Sequence, residues 1–346
     1  MNPFRLLQMQ HVDGRFNRMD IIVKYMAIEE FEGVSSGGLK LYRKMQDKRV
    51  NKNMRRKRPD LTTGESFKKL YRSIKKNGIK TPVPLNPDHT LKEGSHRLAA
   101  ALYLDIDIPV VVDGQKTLPG YGLTWFRDNG FTGDEIAAIK NKYNHIRFLG
   151  KINHLYREKR QKFGRGKFYQ GWMEIGVDGQ RPTEERFAAY GLGRLIDKSD
   201  TVLDIGCNIG FFSLYTAKRV AAVWGVEANP VLCSVAAEVK RYTGNKNFHI
   251  VNKRFEKFKT GRRFSWIFSF AVHHWLRLGI KEYAATLYSL LRPGGHLLLE
   301  SHNLLKEDRD FQGIKDTFTA EGFTEQRAGH IKDDGEIARE FVIYRR

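Results

Sequence analysis

The sequence predicts an α/β protein whose second half forms a mostly parallel sheet and whose first half forms a smaller α+β unit. Two observations carry this prediction. In residues 201–227 an apolar run, a glycine turn, a helical segment and a second apolar run ending in an acid follow one another. From about residue 180 to the end, apolar runs of strand length alternate with helical segments, which is the pattern of strands joined by crossover helices.

Six strands are predicted in the second half, each from a short apolar run bounded by polar or turn-forming residues. They cover residues 201–205, 223–227, 248–251, 265–270, 296–301 and 340–345. Parallel strands carry their carboxyl ends on one edge of a sheet. The side chains that follow these runs are therefore expected to meet there and to form a ligand site.

The first half alternates strand and helix signals over residues 20–112. Strands are predicted at 21–26 and 108–112, an extended piece at 82–85, and helices at 65–77 and 98–104. Residues 113–175 are rich in glycine and basic residues, with one predicted helix at 134–143. The predicted organisation is a domain at 1–112, a basic connector at 113–175 and a second domain at 176–346.

Composition limits the class of protein. The 346 residues are 41% hydrophobic and 12% aromatic, as in globular proteins with buried cores. No apolar run approaches the ~20 residues that span a bilayer, and the N-terminus lacks an apolar secretory core, so a cytoplasmic protein is expected. Cys207 and Cys233 are too few for a disulfide framework or a cysteine zinc site, and no metal centre is predicted.

The net charge of +21 is concentrated outside the second domain. Residues 1–112 carry 22 Lys and Arg against 12 Asp and Glu, whereas residues 176–346 carry 26 against 21. Dense basic clusters occupy residues 48–58 and 157–167. Such clusters suit partners that bear phosphate, which include nucleic acid, nucleotides, phosphorylated glycans and an anionic membrane surface. A solvated basic surface explains either cluster equally well.

The glycine turn at 204–210, Asp-Ile-Gly-Cys-Asn-Ile-Gly, predicts a nucleoside site. Glycines let a ligand approach the backbone, and an acid about twenty residues further on binds ribose hydroxyls. Asn208 stands where many such loops carry glycine, and Asn accepts left-handed backbone angles better than other residues with a side chain. The candidate contacts are Asp204, Gly206, Cys207, Asn208, Gly210, Glu227 and Ala228.

The second half resembles the class I S-adenosylmethionine-dependent methyltransferases over residues 180–346. The segment VLDIGCNIGFF is similar to the first motif of that family, and Glu227 stands at the position of its ribose-binding acid. Glu256 follows the third strand, where the family contacts adenine, and Ser269 begins the segment SFAVHHW at its fourth motif. The run Leu-Arg-Pro-Gly-Gly at 291–295 matches the turn before its fifth strand. The resemblance implies a Rossmann-like, mostly parallel seven-stranded sheet with S-adenosylmethionine as cofactor, and it argues against NAD.

Two histidines after the fourth predicted strand are the first candidates for catalysis. His273 and His274 lie just beyond the strand end, and an imidazole has the pKa required to remove a proton from a hydroxyl. Packing of one histidine under the loop is the alternative. Glu300 and His302, at the end of the fifth predicted strand, are second candidates by position.

The acceptor of the implied methyl transfer is predicted to be an oxygen. The fourth strand is not followed by the Asp/Asn-Pro-Pro-aromatic pattern of enzymes that methylate base amines, and neither cysteine lies there. A hydroxyl, carboxylate or phosphate of a small molecule, glycan or nucleoside therefore fits best. Arg181 is a candidate ligand of the cofactor's methionine carboxylate, the alternative being a surface ion pair with Glu184 or Glu185.

A second motif, LKEGSHRLAAAL, lies at 91–102. Together with SIKKNGIKTPVPL upstream and IPVVV downstream, it resembles the ParB/sulfiredoxin superfamily over residues 20–112. The resemblance implies a helix whose N-terminus binds nucleotide phosphates through Gly94, Ser95, His96 and Arg97. Ser95 stands where sulfiredoxins carry their catalytic cysteine, so reductase activity is not implied.

Some members of that superfamily are nucleotide-dependent kinases that act on small hydroxyl substrates. The resemblance therefore implies ATP or another nucleotide, with Mg²⁺, at the N-terminal domain. Glu29, Glu30 and Glu32 are the candidate bases, since they follow the first predicted strand. A scaffold that only grips a partner is the alternative.

Three functions remain open. The first is a methyltransferase that acts on an oxygen of a small molecule, glycan or nucleoside. The second is a bifunctional enzyme whose N-terminal domain phosphorylates the acceptor that the C-terminal domain methylates. The third is a methyltransferase of RNA or DNA that holds nucleic acid through its basic segments, and a peripheral contact with an anionic membrane is compatible with each of them.

Overall fold

The computed structural model describes residues 1–49, 64–115, 120–158, 168–305, 308–331 and 339–346. The chain divides into two compact units, Met1–Gly150 and Lys151–Arg346. The first unit extends past the boundary predicted at residue 112, because Phe126, Phe131 and Ile146 belong to its hydrophobic core. Within the described ranges, no helix is long and apolar enough to cross a membrane.

Helices dominate the described part of the N-terminal unit. They are α1 (Pro3–Gln8), α2 (Met19–Phe31), α3 (Gly38–Arg49), α4 (Gly64–Asn77), α5 (Ser95–Leu104), α6 (Leu123–Asp128) and α7 (Gly133–Glu158). Strand β1 (His11–Val12) pairs antiparallel with β2 (Arg15–Phe16), and β3 (Val83–Leu85) pairs parallel with β4 (Val110–Val112). The predicted helices at 65–77 and 98–104 are α4 and α5, and the helix predicted at 134–143 is the first part of the longer α7.

The strand predicted at 21–26 is wrong, because these residues lie inside helix α2. Every residue of α2 from Met19 to Glu29 is buried. A helix that is buried on all sides shows no apolar period of 3.6 residues, so a short run of β-branched residues resembles a strand. Glu29 and Glu30 therefore lie on a helix rather than after a strand, and their side chains are not set at a sheet edge.

The basic clusters lie mostly outside the described residues. In the cluster at 48–58 only Lys48 and Arg49 are described, in the last turn of α3. In the cluster at 157–167 the described part is the end of α7, with Arg157 in its last turn. The prediction that these segments hold phosphate-bearing partners therefore stays a prediction.

The C-terminal unit alternates strands and helices along the sequence. Its strands are β5 (Phe168–Gly171), β6 (Gly179–Pro182), β7 (Thr201–Ile205), β8 (Ala222–Glu227), β9 (Phe248–Asn252), β10 (Phe264–Phe270), β11 (Leu291–Glu300), β12 (Thr324–Ile331) and β13 (Arg339–Arg345). Its helices are α8 (Thr183–Ala189), α9 (Leu192–Leu195), α10 (Phe211–Ala217), α11 (Pro230–Tyr242), α12 (Ile280–Leu290) and α13 (Phe311–Ala320).

Seven of these strands form one sheet in the order β12-β13-β11-β10-β7-β8-β9. Strands β7 to β11 are parallel, and β13 runs antiparallel to β11 and β12. The predicted mostly parallel seven-stranded sheet is therefore confirmed, and the six strands read from the sequence all exist. Strand β12 was not predicted, because its residues, TEQRAGHI, are almost all exposed at the edge of the sheet and show no apolar alternation.

The strand order reverses between β7 and β10. From this switch point β8 and β9 extend to one side, and β10 and β11 extend to the other. The carboxyl ends of β7, β10 and β11 lie side by side, because Ile205 pairs with Ser269 and Phe270 pairs with Glu300. In open parallel sheets a ligand binds outside the carboxyl ends of the strands at such a point. The loops after β7, β8, β10 and β11 therefore form the candidate site.

Candidate functional site

The glycine turn joins β7 to α10 at the switch point. Gly206, Asn208 and Gly210 have positive φ angles of 70°, 55° and 74°. A Cβ atom on Gly206 would lie 2.6 Å from Cγ2 of Val272, so a larger residue does not fit there. Asn208 holds its left-handed angle while its Oδ1 accepts a hydrogen bond from the N–H of Ile209 at 2.8 Å. The left-handed residues alternate along the turn, and its two glycines lack side chains that would keep a ligand away from the backbone.

Glu227 ends β8 beside this turn, as predicted. Its Oε2 accepts a hydrogen bond from the N–H of Asn208 at 3.0 Å, and its Oε1 accepts one from the N–H of Asn229 at 2.8 Å. Burial raises the pKa of Glu227, and the backbone donors oppose that shift. Each carboxylate oxygen has a second lone pair, so Glu227 can hold the loop and still accept hydrogen bonds from ligand hydroxyls.

Gln170, on β5, fastens the same turn and was not predicted. Its Nε2 donates to the carbonyl of Cys207 at 3.4 Å, and its Oε1 accepts from the N–H of Phe211 at 3.0 Å. No sequence pattern marks this residue, because the contact joins positions 41 residues apart and β5 carries no motif.

Cys207 packs inside the turn. A Cβ atom on Gly225 would lie 2.7 Å from its Sγ, so the thiol fills the space that glycine leaves on the neighbouring strand. Burial raises the pKa of the Cys207 thiol well above its usual range. The residue is therefore an unreactive packing group, and a direct cofactor contact by Cys207 stays a prediction.

Asp204 contributes an unsatisfied acceptor to the turn. Its side chain is buried, and Oδ2 accepts a hydrogen bond from the Ser213 hydroxyl at 2.5 Å. Its Oδ1 has no hydrogen-bond partner among the described residues. Burial raises the pKa of Asp204 to about 7. A buried oxygen without a partner is costly, and a donor group on a ligand would satisfy it.

Three other predicted cofactor residues have partners within the protein. The Ser269 hydroxyl bonds to a buried tyrosine hydroxyl at 2.8 Å, so it is used by the core. Glu256 accepts a hydrogen bond from the N–H of Arg277 at 2.6 Å. The carbonyl of Ala228 accepts one from Nδ2 of Asn252 at 3.2 Å. A role of these three residues in cofactor binding stays a prediction.

Glu300 ends β11 inside a cluster of three arginines. The guanidinium groups of Arg181, Arg339 and Arg186 lie 2.9, 3.3 and 3.6 Å from its carboxylate, and the Tyr190 hydroxyl donates a hydrogen bond to it. Burial by itself raises the pKa of Glu300, but the three arginines outweigh burial and hold it at about 2. Glu300 is therefore ionised and neutralised by its neighbours, which makes it unsuitable as the predicted proton acceptor.

Arg181 forms an internal ion pair rather than a surface one. Its side chain is only 1% exposed, so the alternative of a surface pair with Glu184 or Glu185 is wrong. The sequence suggested those acids because they are near neighbours, whereas Glu300 is 119 residues away. Contact of Arg181 with a cofactor carboxylate stays a prediction.

His273 and His274 converge on a single carboxylate. Both follow β10 on a short 3-10 turn, His273–Trp275, and Asp308 lies in the loop after β11. Nε2 of His273 lies 3.0 and 3.1 Å from the two oxygens of Asp308, and Nε2 of His274 contacts Oδ1. The Asp308 side chain is fully buried, that of His273 is 4% exposed and that of His274 is 32% exposed. Only His274 is therefore open to an incoming acceptor.

Asp308 is a site residue that sequence reasoning missed. Burial raises its pKa, but hydrogen bonds from His273 and from the backbone N–H of His302 outweigh burial and hold it at about 2. The ring of His302 lies 6.1 Å from that of His274, so the predicted histidines do come together. In the sequence Asp308 is a single acid in a loop, and no spacing rule links that loop to the one after β10. Its role therefore could not be predicted.

The predicted phosphate turn opens helix α5 of the N-terminal unit. Gly94 has a left-handed φ of 88°. Ser95 is buried, and its hydroxyl accepts a hydrogen bond from Nζ of Lys24 at 2.6 Å. Nε2 of His96 shares a hydrogen bond with the Tyr42 hydroxyl at 2.9 Å. The turn is thus held in place by polar contacts from α2 and α3.

Lys24 belongs to a buried ion cluster behind that turn. Its Nζ lies 2.8 Å from Asp20, which also accepts from Arg18 at 2.9 Å and from Arg49 at 3.3 Å. Burial lowers the pKa of Lys24 to about 7, and the Asp20 carboxylate opposes that shift. Arg97 points elsewhere, since it donates to the carbonyls of Thr81 and Pro82 at 2.8 and 2.9 Å.

Comparison with known proteins finds similarity within the C-terminal unit. Residues 180–334 match the family model described as a methyltransferase domain. The N-methyltransferase NodS from Bradyrhizobium japonicum WM9 is 20% identical with a TM-score of 0.40, and the similarity covers 46% of this chain and 95% of that protein. A SAM-dependent methyltransferase from Aquifex aeolicus is 19% identical with a TM-score of 0.38, covering 47% and 88%. No curated protein sequence matches the chain.

The match over residues 180–334 agrees with the strand order and the glycine turn, so this part of the chain is similar to a methyltransferase domain.

Proposed function

We propose that the C-terminal unit, which carries a methyltransferase domain, transfers the methyl group of S-adenosylmethionine to an oxygen atom of its acceptor. The observation that carries the choice of acceptor is the convergence of His273, His274 and Asp308 at the carboxyl ends of β10 and β11. Imidazole and carboxylate groups can bind a hydroxyl and promote the loss of its proton, which an oxygen acceptor requires.

The residues of the glycine turn fit the cofactor. Glu227 would bind the ribose hydroxyls, and the turn would approach the nucleoside with its backbone. The unsatisfied Oδ1 of Asp204 would accept a hydrogen bond from the amino group of the methionine moiety. When bound, the cofactor supplies a methyl group that is already activated on a sulfonium sulfur. The protein therefore has mainly to orient the acceptor and to manage its proton.

The acceptor side of the site lies across the switch point from Glu227. The loop after β10 carries the two histidines, and the loop after β11 carries Asp308. A single carboxylate fixes both imidazoles, so their orientation does not depend on a ligand. Such prior orientation lowers the entropy cost of aligning an acceptor for transfer.

Radiolabel chemistry tests both halves of this proposal. The full chain is incubated with S-adenosylmethionine labelled in the methyl group and with fractionated small-molecule, glycan and RNA extracts. Label that mild alkali releases as methanol indicates a carboxylate acceptor, and alkali-stable label on oxygen indicates a hydroxyl or phosphate. Label found on nitrogen or carbon would contradict an oxygen acceptor, and the absence of any transferred label would contradict the activity.

We also propose that the N-terminal unit binds a phosphate group at Gly94–Arg97. The support is the left-handed Gly94 at the start of the ten-residue helix α5, together with the contact between Lys24 and Ser95. Backbone N–H groups and the helix dipole favour an anion there, and the buried cations near Asp20 add to the positive potential. Transfer of phosphate from ATP with Mg²⁺ would extend this binding to a kinase activity.

Equilibrium binding of ATP tests this second function. Replacing Ser95 by a larger side chain, Ser95→Leu, should block the turn, whereas Ser234→Leu on the exposed face of α11 is a matched control. Equal affinity of both variants for ATP would refute the proposed site. Labelled ATP with the acceptor found in the methylation assay then tests phosphate transfer, and no transfer would leave the unit a binding module.

A further inference from the structure

We propose that His273, His274 and Asp308 form a binding site for one divalent first-row transition-metal ion. The ion would hold the oxygen of the methyl acceptor. The site itself follows from the geometry of the three side chains, and only the role of the ion in catalysis rests on the proposed function.

The geometry is close to that of a bound ion. One ligand atom from each residue lies within 4.8 Å of the other two. Nitrogen and oxygen ligands bind zinc and similar ions at about 2.0–2.2 Å, so two atoms on one ion are at most about 4.4 Å apart. A shift of a few tenths of an ångström in these side chains would bring the three ligands around an ion.

Neighbouring groups prepare the carboxylate as a ligand. The backbone N–H of His302 donates to Oδ2 of Asp308. Nε2 of His273 lies at similar distances from both oxygens, and Oδ1 is the one that it shares with Nε2 of His274. Metal-binding carboxylates are held in this way by hydrogen bonds to the oxygen that does not bind the ion. The 32% exposure of His274 leaves one side of the site open. Three protein ligands also leave coordination positions for a substrate oxygen.

The donor set selects the class of metal. Two imidazole nitrogens and one carboxylate favour Mn²⁺, Fe²⁺, Co²⁺, Ni²⁺ or Zn²⁺, whereas Mg²⁺ and Ca²⁺ prefer sites built from oxygen ligands. No sequence pattern predicts this site, because its one carboxylate lies in a different loop from the two histidines.

The ion has a defined use in methyl transfer. A coordinated hydroxyl has a lowered pKa, so its proton leaves to solvent more readily. The acceptor oxygen then uses a lone pair to form the new C–O bond, and the C–S bond of the donor breaks with its electron pair remaining on sulfur. With both Nε2 atoms on the ion, neither histidine is required as a base.

Cobalt binding tests the site with a readout that does not depend on activity. The full chain, without a histidine tag, is treated with a chelator and titrated with Co²⁺ while its visible absorption is recorded. His274→Ala and Asp308→Asn remove ligands. His249→Ala is the matched control, since His249 is exposed on β9 and stacks on Trp224. Calorimetric binding of S-adenosylhomocysteine is measured on the same samples.

We expect one Co²⁺ per chain in the wild type and in His249→Ala. Affinity in His274→Ala should fall by at least the roughly 10- to 100-fold that loss of an outer partner costs a metal site. No specific absorption in the wild type, or equal affinity in His274→Ala, would overturn the metal site. If Asp308→Asn fails to fold, His274→Ala still decides. If the wild type does not bind S-adenosylhomocysteine, the proposed function is refuted. The result on metal binding is not affected by that outcome.

Discussion

Replacement of Glu227 separates its contacts with the loop from its contacts with a ligand. In Glu227→Ala the two backbone hydrogen bonds from Asn208 and Asn229 are lost. A hydrogen bond to a charged acceptor contributes about 1.5–3 kcal/mol. Because Glu227 is only half-buried, we expect each bond to contribute the lower value of this range. Loss of both bonds should therefore lower the free energy of unfolding by about 3 kcal/mol.

The effect on cofactor affinity has a different origin. Loss of a carboxylate that accepts from the ribose hydroxyls should cost about 1–3 kcal/mol of binding free energy, which is about 5- to 150-fold in Kd. Glu227→Gln keeps the shape and one acceptor oxygen but removes the charge. We therefore expect Glu227→Gln to lose less stability than Glu227→Ala while it still loses affinity.

Calorimetry with S-adenosylhomocysteine and urea unfolding of the full chain give the two quantities. The control is Glu282→Gln, which changes an exposed acid in the first turn of α12. Folded Glu227→Ala and Glu227→Gln that both bind within twofold of the wild type would refute the assignment of Glu227 to the ribose.

Two further predictions concern buried acids. The pKa of Asp204 is raised from 3.8 to about 7, so the stability from its protonated form is complete below pH 3.8 and is lost as the pH rises through 7. The loss is about 4 kcal/mol at most. Asp204→Asn should flatten the pH dependence of unfolding over this range, and a curve parallel to the wild type would contradict the buried protonated state. Glu300→Gln should lower the free energy of unfolding by about 3–5 kcal/mol at neutral pH, because three buried guanidinium groups lose their counter-charge. In the wild type this stability should be lost as the pH falls from 4.5 to about 2. Urea unfolding that shows a loss below 1 kcal/mol would refute the ion cluster as described.

The two halves of the chain differed in how well their elements could be predicted. In the C-terminal unit the strands of the seven-stranded sheet are mostly short apolar runs between turns, and composition and spacing mark all of them except the exposed edge strand β12. The short strands β5 and β6, with the sequences FYQG and GQRP, contain no such run and were not predicted. In the N-terminal unit, α2 is buried all around and loses the amphipathic period that identifies a helix. Burial therefore revealed the strands of one unit and concealed a helix of the other.

The sequence by itself predicted the residues that we propose for the cofactor half of the site. The glycine turn and Glu227 are local features, because a left-handed turn requires glycine or asparagine at fixed positions and the acid follows one crossover later. Only the tertiary structure brought together the residues that we propose for the acceptor half. It surrounds Glu300 with three arginines, which makes it unsuitable as a proton acceptor, and it places Asp308 between the two histidines. It also shows that Gln170 holds the glycine turn of the cofactor half. These contacts join loops and strands that are far apart in the chain. The chemistry of each side chain depends on its burial and on the charges around it, and a local sequence pattern does not predict either.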